Sequence, residues 1–408
     1  MKTGLTRPKL ANPMVLVKKH SCAYTGPCPA MSSDWKTPVV DYTRLEGTIF
    51  GRERTRGLRG LVVGAGALGN EVVKTLGLLG VGSITVVDPG VVEPSNLTRS
   101  VLLRRAGAVG RNKAIALAEA ARELFPDTQV CSVGREIAEL GFEEVRKAHL
   151  IFSCVDSDLA RLEIAYVATK LGVPVSDGGL ANPNYSRGRV SYFPGRQGAC
   201  FGCRLTIQRR RELLTLWESS VRPCWEAAAE LPFPSTPVLA AVVGAMQVEI
   251  GLRYILAPEP AGLTGVSLEV ELHPNPRLET FRIKPSSACP FHAYPGVLVG
   301  APVAGTGTTA RALLDAAGLH GLSDAVLVLD WPVCAKARCA RCGHSWSPMR
   351  RLAAFRKSGC CPLCASAQLL EEETVATIGR DSRWSNLTLA ELGLPEHHLY
   401  TLQAPGSS

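Results

Sequence analysis

The chain has 408 residues, 46% hydrophobic and 20% charged, with a formal net charge of +9, enough for one large α/β core with one or two smaller modules. The positive charge is scattered in short clusters at Arg52 to Arg59, Arg209 to Arg211 and Arg350/Arg351, with neither aromatic interleaving nor a concentrated basic helix face, which argues against nucleic acid as a partner. No membrane partner is expected either, because the most apolar stretch, Val238 to Leu256, is broken by Gln247, Glu249 and Arg253.

In chain order, residues 1–36 contain Cys22, Cys28 and four prolines but no apolar core of a signal peptide. They read as a loosely ordered leader, which places the protein in the cytoplasm. A mostly apolar run, Leu58 to Val63, predicts a buried strand, and Gly64-Ala65-Gly66-Ala67-Leu68-Gly69 comes next, at the turn into a helix-period stretch, Glu71 to Gly80. A second strand, Ser83 to Val87, then delivers Asp88, nineteen residues after Gly69. This is a nucleotide fingerprint in a strand–turn–helix–strand context: the backbone at Gly64, Gly66, Ala67, Leu68 and Gly69 approaches phosphate, and Asp88 takes ribose hydroxyls.

The residues beyond Asp88 differ from those of a dinucleotide site. Ser95, Asn96 and Arg99 supply a hydroxyl, an amide and a guanidinium, and Lys113 adds an ammonium at a helix start. Such a set suits a triphosphate whose charge changes during reaction, and a nicotinamide-dependent oxidoreductase does not account for it. The apolar strand His149 to Cys154 leads to Asp156, where a doubly wound sheet places ligand groups. Asp156 is the candidate to hold Mg2+ bridging phosphates, with Asp156 or Asp158 expected to cap the next helix.

Fourteen cysteines in a cytoplasmic protein call for metal rather than disulfides. Cys200 and Cys203, joined far downstream by Cys289 and His292, make two knuckles of one tetrahedral zinc site. Cys339 and Cys342 with Cys361 and Cys364 have zinc-ribbon spacing, and Cys361 is preferred to Cys360 because it keeps two intervening residues. Two structural Zn2+ ions are therefore expected. His344 reads as a turn residue, and Cys131 and Cys154 as small buried hydrophobes. Pro237 to Leu256 predicts a long buried helix, Ser267 to Leu272 and Arg277 to Ile283 a hairpin, Thr308 to Leu319 a helix, Ala325 to Leu329 a strand, and the stretch from Leu387 a helix stopped by Gly393 and Pro395.

The glycine loop, Asp88, the Ser95 to Arg99 segment, Lys113 and Asp156 with Arg161 together resemble the ThiF/MoeB family of ubiquitin-like-protein-activating enzymes, over roughly Asp41 to Tyr254. The resemblance implies an α/β, doubly wound, mostly parallel Rossmann-like sheet, with the zinc ribbon appended. It also implies ATP- and Mg2+-dependent adenylation of the C-terminal glycine of a ubiquitin-like or sulfur-carrier protein. In the family an arginine near the start reaches across a homodimer to the ATP phosphates; Arg44 is the candidate, with Arg52 and Arg54 as alternatives. A crossover loop carries the cysteine that accepts the acyl group in many members, which points to Cys224, two residues after Arg222. Arg44, Arg99, Lys113 and Cys224 are thus the catalytic candidates. The family's glutamine after the motif arginine is Ser100 here, the second acid of its DxD is Gly90, and the segment from Arg99 to Lys113 is about one residue longer.

The expected organisation is a leader (1–36), an adenylation domain with zinc clamp and crossover loop (37–300), a connecting α/β segment (301–335), the ribbon (336–370) and a small C-terminal module (371–408). The expected activity is adenylation, then a thioester for transfer to a conjugating enzyme. Activation of a sulfur carrier for thiocarboxylate formation and a non-catalytic scaffold are the alternatives.

Overall fold

The computed structural model describes residues 14–18, 40–181, 186–195, 198–219, 236–257, 265–289, 291, 297–301, 307–318, 324–395, 398 and 400–403. They divide into two compact units, 40–218 with 236–291, and 14–18 with 297–403. The chain's first strand, β1 (Met14–Lys18), belongs to the second.

In the first unit, β2 (Arg59–Val63), β3 (Ser83–Val87), β4 (Gln129–Val133), β5 (Leu150–Ser153) and β6 (Val175–Ala181) alternate with helices. The helices are α1 (Arg52–Thr55), α2 (Ala67–Leu78), α3 (Lys113–Leu124), α4 (Phe142–Arg146) and α5 (Asp158–Leu171). After β7 (Arg187–Phe193) come α6 (Phe201–Arg204), α7 (Ile207–Ser219) and α8 (Pro237–Leu256), then the hairpin β8 (Gly265–Glu271) and β9 (Arg277–Ile283). The strands form one sheet in the order β4-β3-β2-β5-β6-β7-β8-β9, parallel from β4 to β6 and antiparallel beyond. Central β2 and β5 are mostly apolar and buried along nearly their whole length, because helices cover both faces of a parallel sheet. The strand order reverses between β2 and β5, and that is where a doubly wound sheet opens a ligand crevice.

α8 corrects one expectation. It is 20 residues long with mean hydropathy 1.5, so by length and composition alone it could cross a membrane. Of the three residues expected to interrupt it, Gln247 is fully buried, and its amide donates to the carbonyls of Ser153 (2.9 Å) and Ser176 (2.8 Å), while Arg253 donates to Glu249 (2.8 Å) on the exposed side. Leu239, Val243, Val248 and Leu252 of α8 join the core that α2 and the sheet build. Gly244 lies so close to α2 that a Cβ there would stand 2.6 Å from the Cβ of Glu71.

The second unit holds a sheet in which β1 runs parallel to β10 (Val297–Ala301) and antiparallel to β15 (Tyr400–Gln403). Met14–Lys18 therefore forms a strand inside the segment expected to be loosely ordered, as its run Met-Val-Leu-Val favours. The strand expected over Ala325 to Leu329 is instead β11 (Val326–Cys339), which continues directly into the first ribbon cysteine. β11 pairs with β12 (Ser345–Trp346), β13 (Arg350–Arg351) and β14 (Leu369–Ile378), and the boundaries drawn at 335/336 and 370/371 fall inside β11 and β14. Helices α9 (Ala310–Gly318) and α10 (Leu352–Ser358) cover this sheet, with Leu313, Leu314, Leu327, Ile378 and Leu402 in its core.

The helix expected from Leu387 is a single turn. The Thr388 hydroxyl accepts from the Glu391 N–H (3.2 Å), the Glu391 carboxylate accepts from the Thr388 N–H (2.8 Å), and Gly393 takes a left-handed conformation (φ +66°). Start and stop signals this close leave room for one turn only.

Candidate active site

The glycine loop leaves β2 and enters α2 at the strand-order reversal. Its three glycines do different work. Gly64 has φ +102°, and a Cβ there would lie 2.6 Å from the carbonyl oxygen of Cys154, just past β5. A Cβ on Gly69 would lie 1.9 Å from the Gly64 oxygen. A Cβ on Gly66 would meet nothing within 4 Å. Gly66 is also the N-cap of α2 and provides no side-chain cap for its first N–H groups. The first turn of α2, with Ala67, Leu68 and Gly69, thus presents an uncapped helix terminus next to open space, the arrangement that receives phosphate.

Asp88, at the end of β3, accepts from the N–H of Ala65 (2.7 Å) and of Gly90 (2.6 Å) and so ties the glycine loop to the next turn. Asn112 caps α3, accepting from the Ile115 N–H (3.1 Å), while its amide donates to the carbonyls of Asp88 (2.9 Å) and Gly90 (3.1 Å). This staple brings Lys113 alongside: a Cβ on Gly90 would lie 2.9 Å from an Asp88 oxygen and 3.5 Å from the Lys113 Nζ. The glycine that departs from the family's second acid is therefore the residue that lets Asp88 and Lys113 approach. Asn96 is buried and its side-chain Oδ1 accepts from the Glu93 N–H (2.9 Å), so that oxygen shapes the Pro94–Thr98 turn. Ser95 is exposed, and the hydroxyl of buried Ser100 has no partner among the described residues.

Arg99 and Lys113 are half-buried and Asp156 is exposed, and among the described residues none of their side chains makes an ion pair or hydrogen bond. Two unneutralised cations and a free carboxylate thus project from segments that come after β3 and β5. The expected aspartate cap is corrected: Ser157 caps α5, accepting from the Ala160 N–H (3.1 Å), and leaves Asp156 outside the helix. Asp158 instead pairs with Arg209 (3.1 Å). Arg44 is exposed, in a turn anchored by Tyr42, whose hydroxyl donates to Asp127. Its alternative Arg52 is occupied, stacking over Tyr42 at 5.0 Å and bonding to the Gly80 carbonyl. Cys224 and His292 lie outside the described residues.

Behind the crevice is a buried network of which the sequence singled out only Arg161. Asp177 of β6, 1% exposed, accepts from Ser153 (2.7 Å), Arg161 (3.2 Å) and Arg189 (3.0 Å). Burial holds the Arg189 pKa below its usual value, against the pull of Asp177. Ser153, Asp177 and Arg189, single polar residues at or in largely apolar strands, carry no spacing signal; only the sheet register brings them together.

Cys200, Cys203 and Cys289 place their sulfurs within 4.8 Å of one another. Hydrogen bonding to Cys203 and then Cys289, aided by burial, pushes the Cys200 thiol far above its ordinary pKa. Three thiols this close cannot all ionise without a cation, and soft tetrahedral donors fit zinc. Ser286 N–H points at the Cys203 sulfur (3.4 Å). The sulfurs of Cys339, Cys342, Cys361 and Cys364 cluster in the same way, with Cys360 exposed outside the cluster. Burial opposes the Cys339 thiolate, but backbone N–H groups of Cys342 and Arg341 outweigh it and lower the pKa to about 6. That donor set also fits zinc. His344 stacks on Trp346 at 5.8 Å and is not a member of the cluster.

A parallel sheet with a glycine-loop cradle at its switch point defines the class: a nucleotide-binding α/β protein. Residues 46–291 match the family described as ThiF, which is more than half of the chain, and the chain belongs to that family. It is 32% identical over 160 residues to the adenylyltransferase and sulfurtransferase UBA4 of Yarrowia lipolytica, 39% of each chain. It is 30% identical over 216 residues to UBA4 of Kluyveromyces lactis, covering 52% of this chain and 46% of that one. The chain thus matches less than half the length of these curated relatives. Among solved structures it is similar to E. coli MccB with ATP, at 17% identity and a TM-score of 0.48, over 63% of this chain and 75% of that one.

Proposed function

We propose that this chain uses ATP to adenylate the C-terminal carboxylate of a ubiquitin-like carrier protein. The observation that carries the reading is a glycine cradle left open at Gly66, tied through Asp88 to the neighbourhood of Lys113 and packed at Gly64 against the Cys154–Val155 backbone that leads into Asp156; the side chains of Lys113, Asp156 and Arg99 are unpaired among the described residues. Membership of the ThiF family and the adenylyltransferase name of the matched relatives support it.

In this reading the cradle and the first turn of α2 hold the phosphates, and Asp88 faces the ribose. A carrier carboxylate oxygen attacks the α-phosphorus as the bond to the bridging oxygen breaks, and pyrophosphate leaves with the electron pair. Lys113 and Arg99 offset charge developing on the phosphate oxygens, and Arg44 of a second copy in a homodimer adds a further cation. Asp156 is the residue that would hold Mg2+, which when bound neutralises phosphate charge. Cys224 then attacks the carbonyl carbon of the mixed anhydride, releasing AMP and leaving a thioester for a conjugating enzyme. A second reading, sulfur transfer to the activated carboxyl, is favoured by the sulfurtransferase name of the matched relatives. Both share the adenylation step, and both suit a cytoplasmic enzyme.

The test is carrier-dependent ATP–pyrophosphate exchange. Asp156→Ala is expected to lower it about a hundredfold or more with the fold unchanged by circular dichroism, as is usual when a charge-stabilising group is removed. Retention of more than about a tenth of wild-type exchange would remove Asp156 from this role.

A further inference from the structure

Asp156 is exposed between partly buried Val155 and Ser157, and its carboxylate makes no contact among the described residues, so its direction depends on how the backbone on either side is held. Arg161, in the first turn of α5, holds the backbone on one side. Its Nη2 donates to the carbonyl of Val155 at 2.5 Å and to that of Gly178 at 3.2 Å, and its Nε donates to Asp177 at 3.2 Å. The side chain is only 8% exposed, so these bonds face little competition from water. Arg161 therefore grips the residue immediately before Asp156 and fastens it to β6.

Arg161 is itself held from behind. Arg189 shares the same carboxylate, so two buried guanidiniums meet at Asp177, while Arg161 also reaches the Asp158 carboxylate at 3.7 Å. Both lie over the ring of Phe201, at 6.0 Å for Arg161 and 5.6 Å for Arg189. The negative ring face adds to the stabilisation that the two carboxylates give these cations. Phe201 is buried between Cys200 and Cys203, two thiols of the first metal cluster, and a cavity of about 10 Å³ is lined by Arg161 and Asp177 together with Cys200 and Phe201.

We propose that Phe201, Arg161 and Asp177 form a relay by which the folded cysteine knuckle positions the Asp156 carboxylate for the metal–nucleotide complex. Arg161 is a positioning residue, acting through the Val155 carbonyl. The inference rests on the reading of Asp156 as a metal-binding carboxylate.

The experiment measures, by calorimetry on the full chain, ATP affinity with and without Mn2+ as the probe. The ratio is the metal-dependent gain. Four proteins are compared: wild type, Asp156→Ala, Arg161→Lys and the double variant. Arg161→Lys is expected to cut the gain about tenfold or more, the usual size of an outer-shell loss, while leaving metal-free ATP affinity unchanged. In the Asp156→Ala background the same change is expected to do nothing further, because the two act in series. Phe201→Leu, which keeps every cysteine, is expected to lower the gain in the same direction with zinc content unchanged, and it replaces Arg161→Lys if that variant fails to fold. If Asp156→Ala leaves the gain intact, the metal role of Asp156 falls. If Asp156→Ala abolishes it but Arg161→Lys or Phe201→Leu does not lower it, or lowers metal-free affinity equally, or adds a full further loss in the double variant, the relay is overturned.

Discussion

Gly64, Gly66 and Gly69 share one motif and have two different physical roles. Gly64 and Gly69 permit close backbone packing, since an added Cβ meets a carbonyl oxygen at 2.6 and 1.9 Å, whereas Gly66 borders open space. Gly69→Ala is therefore expected to destabilise the fold by about 1–3 kcal/mol in urea unfolding, the range for overpacking. Gly66→Ala is expected to cost no more than about 1 kcal/mol, as an N-cap change, yet to weaken ATP binding about tenfold, or about 1.4 kcal/mol. Equal effects of the two variants on stability would contradict this division. The motif itself was legible because its spacing is local. Gln247, Asn112 and Asp177 were not: each takes its role from backbone atoms or arginines brought in by another element, 94 residues away for the Gln247 bond to Ser153.

Local signals predicted elements well where caps and periodicity agreed. β3 matches its predicted span, and α8 runs from Pro237 to Leu256, opened by the Thr236 cap. They failed where a signal was shared between neighbours: Ser157 outcompeted two aspartates for the α5 cap, and the capping pair at Thr388 lies too near Gly393 for a helix. The Cys200/Cys203, Cys339/Cys342 and Cys361/Cys364 pairs were readable from spacing, because a zinc site fixes how many residues separate adjacent donors; His292, expected to complete the first cluster, lies outside the described residues. The first cluster ties together α6 and a loop 89 residues further on, through the 3.7 Å approach of Cys200 and Cys289. Elemental analysis is expected to find about two zinc ions per chain. Cys200→Ser is expected to lose one and to lower the melting point of the first unit. Cys339→Ser is expected to lose the other and leave ATP binding intact. A pure, undegraded sample with one zinc or none would show that at least one cluster does not bind the ion.

At the level of the whole chain, the doubly wound sheet and its switch point arise from the βαβ pattern, and they explain why the glycine loop meets Asp88 after β3 and the Cys154–Val155 backbone after β5 although these span three strands. The second unit was harder to foresee, because β1 and β15 come from opposite ends of the sequence and pair only in the folded sheet. Everything proposed for the site turns on which phosphate bond this chain breaks. The direct measurement is product analysis of α-labelled ATP incubated with the protein, Mg2+ and a ubiquitin-fold protein ending in Gly-Gly. The expected products are labelled AMP together with pyrophosphate, formed only with the intact carrier tail and lost when its last glycine is removed. Labelled ADP with free phosphate, or AMP formation indifferent to the carrier tail, would contradict adenylation of a carrier by this site.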